Sequence, residues 1–180
     1  MMFTATESGM TFGPFPEERV FPIEALELHK KAGKSIRCVE FLYLQPEQKL
    51  LFIEAKSSSP RSETNAERFE EFICEITEKF LHSFDLYAAS KLGRYSELGG
   101  KLAECSDADI GYKFVLIING HREKWLLPLQ DELRKRLNWH SRIWGTTVNV
   151  LNEAIAEEEK LISAFVPKQP TLGGTHHAQN

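Results

Sequence analysis

Apolar and polar positions change rhythm several times along this chain, and each change predicts an element. Residues 36–44, IRCVEFLYL, are rich in β-branched and aromatic side chains and predict a strand. A polar turn, Gln45–Gln48, leads into Lys49–Lys56, KLLFIEAK, which predicts a second strand. Two such runs joined by a short turn are expected to close a β-hairpin. The Ser-Ser-Ser-Pro stretch at 57–60 should end it, because proline has no N–H to give a ladder. Phe69, Phe72, Ile73, Ile76, Phe80, Phe84 and Tyr87 then recur at three- and four-residue intervals, the stripe of a long helix over 65–92. Thr64 and Glu67 stand at capping-box spacing, while Glu70, Glu71, Glu75, Glu78 and Lys79 fall off the stripe.

Residues 93–109 are polar and bear glycine, predicting a loop with short helical pieces. KFVLIIN at 113–119 is nearly all apolar, as a strand buried on both faces would be. A second helix is expected over Trp125–Leu137 with Trp125, Leu126, Leu129, Leu133 and Leu137 inward, then a strand at 146–151 and a last helix at 152–164. Upstream, VFPIEALELHKKAG reads either as a helix from Pro22 to Gly33 or as a strand over 19–24 followed by a short helix, and the latter fits better. Residues 1–10 are expected to be a loose lead-in, 11–166 one domain, and 167–180 a flexible tail. The resulting order predicts an α/β protein whose mixed sheet carries a central β-hairpin flanked by helices.

Composition narrows this picture only a little. The 180 residues and their 42% hydrophobic content suit one globular core. A formal charge of −4 speaks mildly against a dedicated high-affinity nucleic-acid binder, though not against an enzyme with a local basic surface. Cys38, Cys74 and Cys105 share no metal-type spacing and fit a reduced chain. With no apolar run of membrane-spanning length and no secretory pattern at the start, the expected location is cytoplasmic, away from membranes.

The chemistry concentrates in CVEFLYLQPEQKLLFIEAKSSSP. Alternate residues of a strand share a face, so Phe52, Glu54 and Lys56 align on one side and Leu51, Ile53 and Ala55 on the other. Turning at Gln45–Gln48 brings Glu40 roughly opposite Glu54. Two carboxylates on rigid strands are hard oxygen ligands of the kind Mg²⁺ takes, and a lysine beside them can steady developing negative charge.

This hairpin, with an acid on its first strand and Glu-x-Lys closing its second, resembles the PD-(D/E)XK nuclease superfamily, which includes type II restriction enzymes and many repair and phage-defence nucleases. The resemblance spans roughly residues 19–120 and implies a restriction-endonuclease-like α-β-β-β-α-β core. It places Glu40 at the first acidic position, Glu54 at the second and Lys56 at the catalytic lysine. Glu24, with Glu27 behind it, would supply the acid that many members take from an upstream helix. It also implies Mg²⁺ or Mn²⁺ held by Glu40 and Glu54, and a nucleic-acid substrate, DNA before RNA. Glu40 stands where Asp is commoner and follows Val39 rather than proline.

Other features have ordinary readings. Ser57 and Ser58 could donate to phosphate or simply end a strand. Arg134, Lys135 and Arg136, with Arg122, Lys124 and Arg142, form the densest basic region, suited to solvent or to phosphate. Trp125, Trp139 and Trp144 could stack on bases but fit packing better. Two competing functions stand beside the nuclease. One is an inactive nuclease-like module that forms a homodimer through its aromatic helices or docks a partner. The other is an unrelated α/β domain with a regulatory or small-ligand role.

Overall fold

The computed structural model describes residues 1–25, 29–30, 33, 36–94 and 100–163. A first hairpin pairs β1 (Met2–Glu7) with β2 (Met10–Pro16). A separate five-stranded sheet follows, in the order β3 (Val20–Phe21), β4 (Phe41–Leu44), β5 (Lys49–Lys56), β6 (Gly111–Ile118) and β7 (Thr147–Asn152). Pairing is antiparallel from β3 to β5 and parallel from β5 to β7. Helices bounded within the described residues are α1 (Ala66–Lys91), α2 (Gly100–Glu104), α3 (Leu126–Arg136), α4 (Asn138–Trp144) and α5 (Glu153–Glu158). A mixed α/β architecture with a hairpin feeding a partly parallel sheet is therefore what forms.

The apolar run of β5 sits at the sheet's centre, buried from Leu50 to Ala55 on both faces. On one face Leu42, Phe52, Phe114, Leu116 and Val150 meet Ile76, Phe80 and Phe84 of α1 and Leu129 and Leu133 of α3. On the other, Phe41, Leu51, Ile53 and Val115 meet Met10, Phe12 and Phe15 of β2. Helices cover one side and the first hairpin covers the other. Each large side chain so buried contributes about 1.5–3 kcal/mol relative to exposure.

That hairpin corrects the expected loose lead-in over residues 1–10. Ser8 and Gly9 both have positive φ, 51° and 80°, as a two-residue type I′ turn requires. Phe3 and Phe12 then lie edge-on to Phe41 at 5.5 and 5.4 Å, and Phe15 stacks on Tyr43 at 4.1 Å. β1 is only half-buried, and its Ala5 and Glu7 on the inward positions leave too weak an apolar alternation for a pattern reading.

Other boundaries also move. The strand expected from residue 36 begins only at Phe41, because the Val39 amide donates to Ser83 Oγ of α1 (2.9 Å) rather than to a ladder. Asn65, not Thr64, caps α1, accepting from the Arg68 amide at 3.0 Å. Upstream, a two-residue strand forms at Val20–Phe21 with a 3-10 turn at Ile23–Ala25 after it, while most of the segment where the helix was expected lies outside the described residues. Helix α4 follows α3 where the pattern suggested none, and it leaves Trp139 and Trp144 about half exposed. The last helix ends at Glu158, and Ile162 turns back to bridge Phe12.

Candidate functional site

Glu54 is the site's fixed point. It lies two residues before the end of β5, on the face shared with Phe52 and turned towards α1, and it is fully buried. A buried carboxylate is costly without compensation, and two lysines supply it. Lys79 of α1 donates to Glu54 Oε1 at 2.6 Å, and Lys56 Nζ stands 3.4 Å from the same oxygen. Oε2 of Glu54 is buried with no hydrogen-bond partner. Burial raises this carboxyl above its ordinary range, with the two ammonium groups pulling the other way.

Lys56 also donates to Glu75 Oε1 of α1 at 2.7 Å. A chain of alternating charge results, Glu75–Lys56–Glu54–Lys79, closed between the end of β5 and one helix. Burial works against the Lys56 ammonium, but the bonds to Glu75 and Glu54 hold its pKa above the usual value. Glu75 shows the converse: burial is the largest single influence and raises it, but the Lys56 bond together with the charges of Lys56, Lys79 and Arg37 outweighs burial and holds it below the ordinary value.

Glu40 joins from the strand edge. It lies one residue ahead of β4, whose Phe41 pairs with Ile53, and its amide donates to the Ile53 carbonyl at 3.0 Å. The next same-face partner is Glu54. Burial first, then the Glu54 charge, with Glu7 and Glu24 adding, push the Glu40 carboxyl up to about 7 against the opposing Lys79. Among the described residues Glu40 makes no ion pair. Glu24 is exposed on its 3-10 turn at the margin of the site, within electrostatic reach of Glu40, and Glu27 lies outside the described residues.

Glu40, Glu54 and Lys56 thus converge as the hairpin pattern predicts. Lys79, Glu75 and Glu7 were not singled out. Lys79 resembles any solvated helix charge, but it shares a helix face with Ile76 and the buried Ser83, a polar pair at helical spacing beside an apolar stripe. That spacing was the available signal. Glu7 comes from the tip of the first hairpin. Ser8 Oγ there donates to the Ala55 carbonyl (3.1 Å), and Asn119 Nδ2 donates to the Ser8 carbonyl (3.0 Å).

A groove of about 800 Å³ opens beside this cluster, between α1 and the strap after β5, with Arg37, Arg68, Ser58, Ser59, Phe72 and Glu75 on its walls. The basic run Arg134–Arg136 is already engaged elsewhere. Arg134 donates to the Val148 carbonyl at 3.0 Å, Arg136 bonds Glu70 and Glu132, and Lys135 pairs with Glu132.

Could an ion sit here? Among the described residues no three of His, Cys, Asp and Glu are grouped to ligate one. Two carboxylates remain, one with a buried oxygen lacking a partner, and Mg²⁺ commonly takes one or two carboxylates while keeping waters. The donor set fits such an ion. Fold and site together define a mixed α/β protein, its five-stranded sheet flanked by helices, with an acid–lysine cluster at the ends of the central strands. No family model, no curated protein and no solved structure matches the chain. No helix among the described residues is long and apolar enough to cross a membrane.

Proposed function

We propose that the chain is a Mg²⁺- or Mn²⁺-dependent nuclease of restriction-endonuclease-like fold, hydrolysing phosphodiester bonds of DNA before those of RNA. The observation that carries this reading is the buried Glu54, whose Oε2 has no partner, whose charge acts on Glu40 across the hairpin and whose Oε1 lies 3.4 Å from the Lys56 ammonium. Glu40 and Glu54 would hold the ion, which when bound acidifies water and offsets charge on the phosphate. Lys56, held by Glu75 and Glu54, orients the attacking water and steadies the negative charge that grows on the phosphoryl oxygens. Lys79 fixes the Glu54 rotamer. Glu24 stands where a further acid would help at the margin.

A metal-dependent cleavage assay on plasmid and single-stranded DNA tests this. Lys56→Ala should lower the rate about 10²- to 10³-fold, the scale of losing one preorganised charge-stabilising donor. Activity indifferent to Lys56→Ala would reject the assigned role.

A second reading has its own observation. Lys79 already neutralises Glu54 at 2.6 Å, so this carboxylate is compensated without metal, as in an inactive module. Ile143, Trp139 and Trp144, exposed on α4, would then serve a second copy or another partner. Calorimetric titration with Mg²⁺ separates the two. Heat that vanishes in Glu54→Ala supports the metal site, and absence of heat selects the inactive module.

A further inference from the structure

We infer that three cations gathered on Trp125 form a phosphate-binding patch that delivers nucleic acid to the site. Arg61 Cζ lies 4.8 Å from the indole centroid, Arg122 Cζ 5.1 Å and Lys124 Nζ 5.8 Å. Arg61 comes from the strap after β5 and the other two from the turn after β6, so distant sequence converges on one ring. All three are exposed, and none makes an ion pair among the described residues. Glu63 lines the same pocket as Arg61 and Trp125, Glu123 stands between Arg122 and Lys124 in sequence, and Glu153 accepts from the Gly120 amide at 2.8 Å. The arrangement is the reverse of the Arg134–Arg136 run, whose side chains are spent on neighbours.

Like charges brought to one ring repel, and the indole face offsets only part of that repulsion. A polyanion with regularly spaced phosphates and stackable bases answers both the charge and the ring. The patch is also wired to the site. Trp125 packs on His121 (5.4 Å), His121 Nε2 meets Ser59 Oγ (3.3 Å), and Ser59 belongs to the strap that runs from Lys56 to Arg61. Ser58, Ser59 and Pro60 of the same strap wall the groove that reaches Glu75. A backbone held at Trp125 would cross the strap to the Lys56 end of β5. The use of the patch rests on the nuclease reading; the binding does not.

The test titrates chelated full-length protein with labelled single-stranded and duplex DNA across a salt series. Arg61→Gln, Arg122→Gln and Lys124→Gln should each weaken binding several-fold. Each should also reduce the slope of log affinity against log salt by about 0.7–0.9, and the triple variant should compound both effects. Lys135→Gln, paired with Glu132 on α3, should leave both readouts at wild type. A triple variant with wild-type affinity and slope overturns the inference, and equal affinity for polyglutamate overturns the nucleic-acid assignment. Since the substitutions are at exposed positions, singles with unchanged melting keep the test intact if the triple unfolds. Patch-dependent binding without cleavage removes the nuclease reading alone; cleavage with patch-independent binding removes this one alone.

Discussion

A carboxylate withdrawn from water needs a cation, a proton or a metal beside it, and Glu54 takes its first support from Lys79 and Lys56. Glu40 makes no ion pair among the described residues and has only the Lys79 charge against those of Glu54, Glu7 and Glu24, so it carries the repulsion of the cluster. These two acids and Lys56 could be read from the chain because charges inside apolar strands stand out. Lys79 could not, because a charge on an amphipathic helix is ordinary until its face is known. Like His121, whose pKa burial also lowers, His140 is a further buried ionisable group with a consequence. It is packed edge-on to Phe84 at 4.6 Å, its Nδ1 is 3.2 Å from Thr146 Oγ1, and burial lowers its pKa. The folded state therefore favours neutral imidazole, whereas the unfolded chain binds a proton below about pH 6.5. Folding stability should hold above that value and fall as pH drops through it. In denaturant titrations across pH, His140→Gln should flatten this fall, so that wild type loses its advantage in acid. Parallel curves for the two proteins would refute the assignment.

At the scale of elements, β5, β6 and α1 were legible because each has one dominant period over a long run. The elements missed are short or half-wet. β1 buries alternate residues only in part, and α4 is a seven-residue helix joined to α3 through Leu137 with no glycine or proline to mark the join. The first hairpin matters to the site because its tip brings Glu7 near Glu40. Gly9 has φ +80°, and a Cβ there would lie 2.8 Å from Asn119 Nδ2, the group that bonds Ser8. Gly145 has a similar φ, +66°, but open space around it. Gly145→Ala should cost about 1–2 kcal/mol for left-handed backbone alone. Gly9→Ala should cost that plus roughly 0.5–1.5 kcal/mol for the displaced hydrogen bond. Equal losses in chemical denaturation would show that the tip is not docked through Asn119.

Across the whole molecule, the sheet's centre and the helical layer follow from hydrophobic pattern, whereas the layer beneath the sheet does not. The reason is that β1–β2 contacts the sheet through long-range aromatic packing that no local period records. Its consequence is electrostatic. Strand end, upstream turn and hairpin tip each deliver an acid to one place, Glu54 and Glu40, Glu24, and Glu7, in a chain whose formal charge is already −4. Folding in the absence of metal must therefore assemble mutually repelling groups, and two changes should relieve the same repulsion. Saturating Mn²⁺ should raise the thermal midpoint, by about 2.7 kcal/mol of stability at a free concentration a hundred times the dissociation constant. Glu40→Gln in chelator should also raise it, provided the pH is well above the value of about 7 to which the Glu40 carboxyl is pushed. The two gains should not add, because the variant has lost a ligand and should show little further rise with Mn²⁺. Melting curves of both proteins with chelator and with Mn²⁺ settle it. A variant that keeps the full Mn²⁺ shift would place the ion away from Glu40, and a variant less stable than wild type in chelator would mean that Glu40 supports the fold rather than straining it.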